Sequence, residues 1–347
     1  MHYSTLLLPA LLPGLSLATY VLEDDYPASS FFSEFTFFTS AAQSDGLINT
    51  NNNQVYMGVD STNVASGSGR TSVRITSNTA YNHGLFILDL AHMPGGICGT
   101  WPAYWLVGPN WPNEGEIDII EGVNDGANNA MTLHTSDNCT ITDDGGFTGT
   151  LGDTNCYVYA SGQPSNAGCS IENQNTQSYG TDFNNIGGGV IATEWTSSDI
   201  NIWFFPRGST PADITNGDPD PTTWGEPVAQ FQGGCDIDSH FQNQQIVFDT
   251  TFCGDWAGAA WASSSYCSSL ASSCQDYVQN NPSAFANAYW LVNSLQVYQS
   301  DGTPAPVAHA SPDVVQAKNK TLPLLTQPLA MGGGVPPAGK VRRRWSA

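Results

Sequence analysis

Gly115-Glu116-Ile117-Asp118-Ile119-Ile120-Glu121-Gly122 places three carboxylates inside a short isoleucine-rich run. β-Branched residues favour a pleated, half-buried chain. The isoleucines pull this segment into a core, so the acids must face something polar. Side chains alternate across a strand, which puts Glu116 and Asp118 on one face. Glu121 lies an odd number of positions beyond Glu116 and would point the other way. One extra residue in a β-bulge near Ile119–Ile120 corrects the phase and aligns all three acids.

Working outward, the same two-residue period recurs. Val73 and Ile75 alternate with polar neighbours in 72–76, and Leu295 and Val297 do so in 294–298. The longer apolar runs HGLFILDLAHM (83–93) and INIWFFPRG (200–208) suit strands covered on both faces. Gly, Asn, Asp and Ser clusters separate these runs. Helical period is scarce, with one short candidate near Gln275–Asn280, stopped before Pro282. Many strands with few helices predict an all-β antiparallel sandwich.

The ends differ from the body. MHYSTLLLPALLPGLSLA (1–18) has an apolar run closed by Ser16-Leu17-Ala18, the pattern of a secretory signal peptide. One catalytic domain is expected over 19–300. After Asp301 the composition shifts to Pro, Ala and Gly with late basic residues, which predicts a disordered tail over 301–347. No later stretch reaches the roughly 20 apolar residues of a membrane span, so no membrane partner is expected. The eight cysteines form an even set without a CxxC pair, which in an exported chain reads as up to four disulfides. Cys267 and Cys274 are near enough in sequence to close a short loop. Asn138-Cys139-Thr140 and Asn319-Lys320-Thr321 are glycosylation sequons.

Charge narrows the choice of partner. The chain carries 9 basic against 31 acidic residues, and before residue 301 the only basic side chains are Arg70, Arg74 and Arg207. So acidic a body repels phosphate backbones and excludes nucleic acid. It suits a neutral polymer in an acidic medium. A monomer is the default expectation.

Two glutamates flanking an aspartate on one face match the needs of retaining glycoside cleavage, which takes two carboxyl groups roughly 5–5.5 Å apart. Crowding three acids raises at least one pKa, and the protonated carboxyl becomes the general acid. A calcium site or a solvated acidic face are the alternatives, although calcium loops use Asp, Asn and Gly in turns. Trp101, Trp105 and Trp111 precede the motif, and Trp256 and Trp261 follow in a later loop. Indole planes stack on the C–H faces of sugars. Core packing is the competing role, expected for Trp105, Trp195 and Trp203. His134, on a neighbouring strand, is within reach of Glu116 or Asp118 or else serves structurally.

GEIDIIEGVN (115–124), GTWPAYWLVG (99–108), ATEWTSSDINIWFFPRG (192–208), FDTTFCGDWAG (248–258) and DYVQNNPSAFANAYWLVNSLQVY (276–298) resemble the laminarinases of glycoside hydrolase family 16, with fungal endo-1,3(4)-β-glucanases the nearest in kind. The resemblance covers residues 19–300 and includes the full Glu-x-Asp-x-x-Glu motif. It implies a jelly-roll β-sandwich of concanavalin A type, with a β-glucan cleft across a concave sheet. It also implies Glu116 as nucleophile, Asp118 as assisting acid and Glu121 as acid/base. Trp101 and Trp256 correspond to cleft tryptophans, His134 to the histidine beside the nucleophile, and Arg74 to a cleft-lining strand. Trp111 joins these as a substrate-binding candidate. No cofactor is implied, although some relatives carry a structural calcium. A transglycosylase of the same fold is the alternative activity, and a non-catalytic glucan-binding protein a further one.

Overall fold

The computed structural model describes residues 20–66 and 69–300. The expected leader (1–18) and tail (301–347), with the sequon at Asn319, lie outside them. Sixteen strands form two eight-stranded sheets among the described residues, and every strand pair is antiparallel. The carboxylate sheet runs, in spatial order, Thr150–Leu151, Cys169–Glu172, Ala130–His134, Glu116–Glu121, Thr100–Val107, Gln244–Phe252, Arg74–Tyr81 and Phe35–Phe37. The covering sheet runs Ala229–Phe231, Ile200–Pro206, Gly189–Trp195, Gly84–His92, Trp290–Ser300, Gln54–Met57 and Ile48–Asn51. Tyr20–Asp25 adds to its Trp290–Ser300 strand. Neighbours in each sheet are often distant in sequence, as in a jelly-roll sandwich.

The main core lies between the sheets. Ile75, Tyr104, Leu106, Ile117, Leu133, Ile246 and Phe248 from the carboxylate sheet meet Phe86, Leu88, Leu90, Leu295 and Val297 from the other. The strand Gly84–His92 also sends Leu85 and Ile87 to its opposite face. There they pack with Val190, Ala192 and Trp203 beneath Ile214 and Trp224. That double burial is why 83–93 reads as an unbroken apolar run.

A third, smaller core joins Cys98, Cys253, Trp261, Cys267, Cys274, Val278 and Phe285. It holds the helical segment after Phe252, including Gly254–Ala260 and the expected helix at Cys274–Asn280. Ser273 caps that helix, its Oγ accepting from Asp276 N–H at 3.1 Å. All eight cysteines are paired: Cys98–Cys267, Cys139–Cys235, Cys156–Cys169 and Cys253–Cys274. The short Cys267–Cys274 loop is therefore incorrect. Both residues instead staple the helical segment to the chain at two strand ends, Cys98 shortly before Thr100–Val107 and Cys253 directly after Gln244–Phe252. Among the described residues no helix is long and apolar enough to cross a membrane.

Candidate active site

Register places the acids. Along Thr100–Val107, Glu116 opposes Val107, Asp118 opposes Trp105 and Glu121 opposes Ala103. Residues 103, 105 and 107 alternate by two, so they share a face, and so do the three acids. The extra residue lies between Asp118 and Ile120 on this side. On the other side Asp118 pairs with Thr132 and Glu121 with Ala130, again with one residue too many on the acidic strand. This is the bulge that the motif requires, and Ile117 and Ile120 remain in the core.

A bulge strips backbone groups from the ladder. Asn129 supplies replacements. Its Oδ1 accepts from Glu121 N–H at 2.8 Å, and its Nδ2 donates to Ile119 C=O at 2.7 Å. Its own N–H donates to Ser178 Oγ at 3.2 Å. Asn129 is buried. The sequence reading did not single it out, because its partners are main-chain atoms of a bulge whose exact position only the register reveals.

The motif's flanking glycines also have causes. Gly115 has φ +75°, and a Cβ there would meet His240 C=O at 2.5 Å. Gly122 faces the Tyr179 ring, which a Cβ would approach to 2.7 Å. Larger residues at either end would displace the strand that carries the acids.

Indole donors hold both glutamates. Trp101 Nε1–H donates to Glu121 Oε1 at 2.7 Å, and Trp111 Nε1–H donates to Glu116 Oε2. Trp256 packs edge-on against Trp101 with ring centroids 5.8 Å apart, carried there by the helix Gly254–Ala260. His134 stands opposite Glu116 in register, and its Nε2 lies 3.3 Å from Asp118 Oδ2. Arg74 reaches over Trp105, 5.0 Å from its ring centre, and approaches Asp249 at 3.7 Å. Trp105 is therefore not a core residue as expected; opposite Asp118 in register, it lies on the acidic face. Trp261 fails in the other direction, buried in the small core where its indole donates to Ala271 C=O. Trp195 and Trp203 are buried, as expected.

These surroundings set the proton inventory. Burial, then the charge of Asp118, raises Glu116 to about 8, opposed by His134, the Trp111 N–H and Arg74. Asp118 is raised by burial and by Asp249. Glu121 is held well above the ordinary carboxylate range by burial and Asp118, with the Trp101 N–H and His134 opposing. All three carboxyls are thus biased toward the protonated form, and their mutual charge disfavours ionising them together. Glu116, Asp118 and His134 also offer ligand atoms within 4.8 Å of one another. The Trp111 N–H already occupies Glu116 Oε2, which suits proton handling better than cation binding.

A two-sheet antiparallel jelly roll with a bulged, three-acid strand defines a class of carbohydrate-cleaving fold. The chain belongs to glycoside hydrolase family 16: residues 34–298 match the family model described as "XgeA-like, catalytic GH16 domain". It is 48% identical over 326 residues to endo-1,3(4)-β-glucanase of Arthroderma benhamiae, spanning 89% of this chain and 71% of that one. It spans only 43% of the related Aspergillus niger protein, which is 45% identical over 329 residues and 89% of this chain. Among solved structures it resembles laminarinase 16A of Phanerochaete chrysosporium, crystallised with β-glucans in donor and acceptor sites. The TM-score is 0.76 and the identity 43%, over 81% of this chain and all of that one. An elongating β-1,3-glucosyltransferase of family 16 has TM-score 0.73 and 41% identity, over 81% of this chain and all of that one.

Proposed function

We propose that this chain is a secreted endo-β-glucanase that hydrolyses β-1,3 and mixed β-1,3/1,4-glucans with retention of configuration. The observation that carries the reading is the bulged register that sets Glu116 and Glu121 on one face, four positions apart along the neighbouring strand. Their backbones are thus about 13 Å apart at the usual strand rise. Glutamate side chains are long enough to close most of that gap by leaning over Asp118, toward the separation that double displacement needs.

The chemistry needs one glutamate protonated and the other ionised, a state that crowding around Asp118 favours over charging both. Glu121, protonated, gives its proton to the departing glycosidic oxygen. Glu116, as carboxylate, attacks the anomeric carbon and forms a covalent glycosyl-enzyme. Glu121, now ionised, takes a proton from water, which attacks the same carbon and releases Glu116. Two inversions give net retention. Asp118, between them and beside His134, tunes the charge that each glutamate experiences. Trp101 and Trp256 suit stacking of a sugar near Glu121, and Trp111 and Arg74 extend the same face. Export is supported by the leader-like 1–18 and the four disulfides, with 19–300 as the catalytic domain, 301–347 as a tail and a monomer as the working unit.

Replacing Glu116 with Gln tests the assignment. Turnover of laminarin and lichenan is expected to collapse while glucan binding survives, and NMR of wild-type products is expected to show the β-anomer first. Wild-type turnover in Glu116→Gln, or prompt α-anomer, would remove the mechanism. The likeness to an elongating glucosyltransferase favours a second reading, in which a glucan hydroxyl replaces water in the second step. Chain-lengthened products counted against new reducing ends separate the two.

A further inference from the structure

The acidic face carries a feature that cleavage chemistry does not use. Phe38 is 72% exposed, unusual for so large an apolar side chain on a sheet edge. Its position is not arbitrary. Phe37 pairs with Ile75, and Phe38 N–H donates to Arg74 C=O at 3.0 Å, so Phe38 lies opposite Arg74. Arg74 opposes Asp249, Asp249 opposes Ala103, and Ala103 opposes Glu121. Phe35 belongs to the core, and Phe37 packs against it, so Phe38 falls on the opposite face, with the acids. One straight row therefore runs Phe38, Arg74, Asp249, Ala103, Glu121 across five strands. Four inter-strand steps make it about 19 Å long, roughly the reach of a tri- or tetrasaccharide.

Arg74 stands between Phe38 and Trp105. Its guanidinium lies 5.6 Å from the Phe38 ring centre and 5.0 Å from that of Trp105. Cation–π contact of this kind holds an otherwise loose exposed ring in place. Phe38, Arg74 and Trp105 thus form a continuous aromatic–guanidinium surface leading from the sheet edge toward the acids. With one side of the ring met by Arg74, the exposed remainder of this apolar surface suits the C–H face of a neutral pyranose.

We propose that Phe38 is a distal sugar-stacking platform, engaging a glucosyl unit about three to four residues from the cleavage point, so that it reads glucan length. This rests on the glucan-cleaving reading above. The test is kcat/KM over laminari-oligosaccharides of increasing length, for wild type, Phe38→Ala and Phe38→Trp. Wild type is expected to gain in kcat/KM once the oligosaccharide reaches the edge. In Phe38→Ala that gain falls roughly tenfold, the factor that about 1.4 kcal/mol represents, and Phe38→Trp restores it. Titration of Glu116→Gln with the longest oligosaccharide, with and without Phe38→Ala, reads the same contact without turnover. An inactive wild type would refute the glucanase reading, and the titration would still decide the platform. Unchanged length dependence with unchanged affinity, or an equal loss on short and long chains, would overturn the platform alone. So would a change in sedimentation on Phe38→Ala without change in length dependence, which would make Phe38 a contact between copies of the chain.

Discussion

Asn129→Ala probes the arrangement at its most informative point. The substitution removes the two bonds that tie the bulge: the acceptor for Glu121 N–H and the donor to Ile119 C=O. Both groups are buried and would be left unsatisfied at about 1–3 kcal/mol each, so stability should fall by about 2–6 kcal/mol. A domain stable by more than about 6 kcal/mol survives that loss, and the usual range of about 5–15 kcal/mol lies mostly above it. The bulge itself is less secure. Were its extra residue absorbed into regular pairing, every side chain beyond it would change face, and Glu121 would turn toward the core. Even a displacement of about 1 Å can cost 100-fold in rate. The expected result is a folded protein by circular dichroism whose kcat per folded molecule is down roughly 100-fold or more. Asn128→Ala is the control: it removes a neighbouring bond to Asn173 C=O without touching the bulge. Equal kcat losses in the two variants, or wild-type kcat in Asn129→Ala, would refute the positioning role.

Two further outcomes follow from the same geometry. Trp111→Phe removes an N–H donor that lowers the pKa of Glu116. In the role proposed for it Glu116 works only as carboxylate, so a higher pKa moves the acidic limb of kcat/KM upward, by about one unit if the bond is worth about 1.5 kcal/mol. A pH profile with an unmoved acidic limb would contradict this. In a Cys253→Ser/Cys274→Ser variant the loss of a bond closing 21 residues should lower stability by about 3 kcal/mol, read from denaturant midpoints. Because the same bond anchors the helix bearing Trp256, KM should rise more than kcat falls.

Much of this molecule was legible in its sequence because the signals were local. Strict alternation and unbroken apolar runs follow directly from one-sided or two-sided burial of a strand, and the phase conflict between Glu116 and Glu121 in an isoleucine-rich strand has one inexpensive resolution, a bulge. What escaped was set by non-local neighbours. Trp105 and Trp261 are both tryptophans in plausible settings, yet the first lies on the acidic face beneath Arg74 while the second closes a disulfide-lined core. Their fates depend also on elements remote in the chain, Gln244–Phe252 beside Trp105 and Cys98 beside Trp261. The cysteines escaped for the same reason: Cys267 is close to Cys274 in sequence but is bonded to Cys98, at a separation of 169 residues. Asn129 is the sharpest case. An asparagine at the start of a strand reads as ordinary turn chemistry, and only the register shows that its amide completes a gap opened eight to ten residues earlier. The acids are therefore specified by the local pattern, whereas the atoms that hold them in working phase are specified by topology, and substitutions of the second kind are the ones that test whether the bulge is the working part of the site.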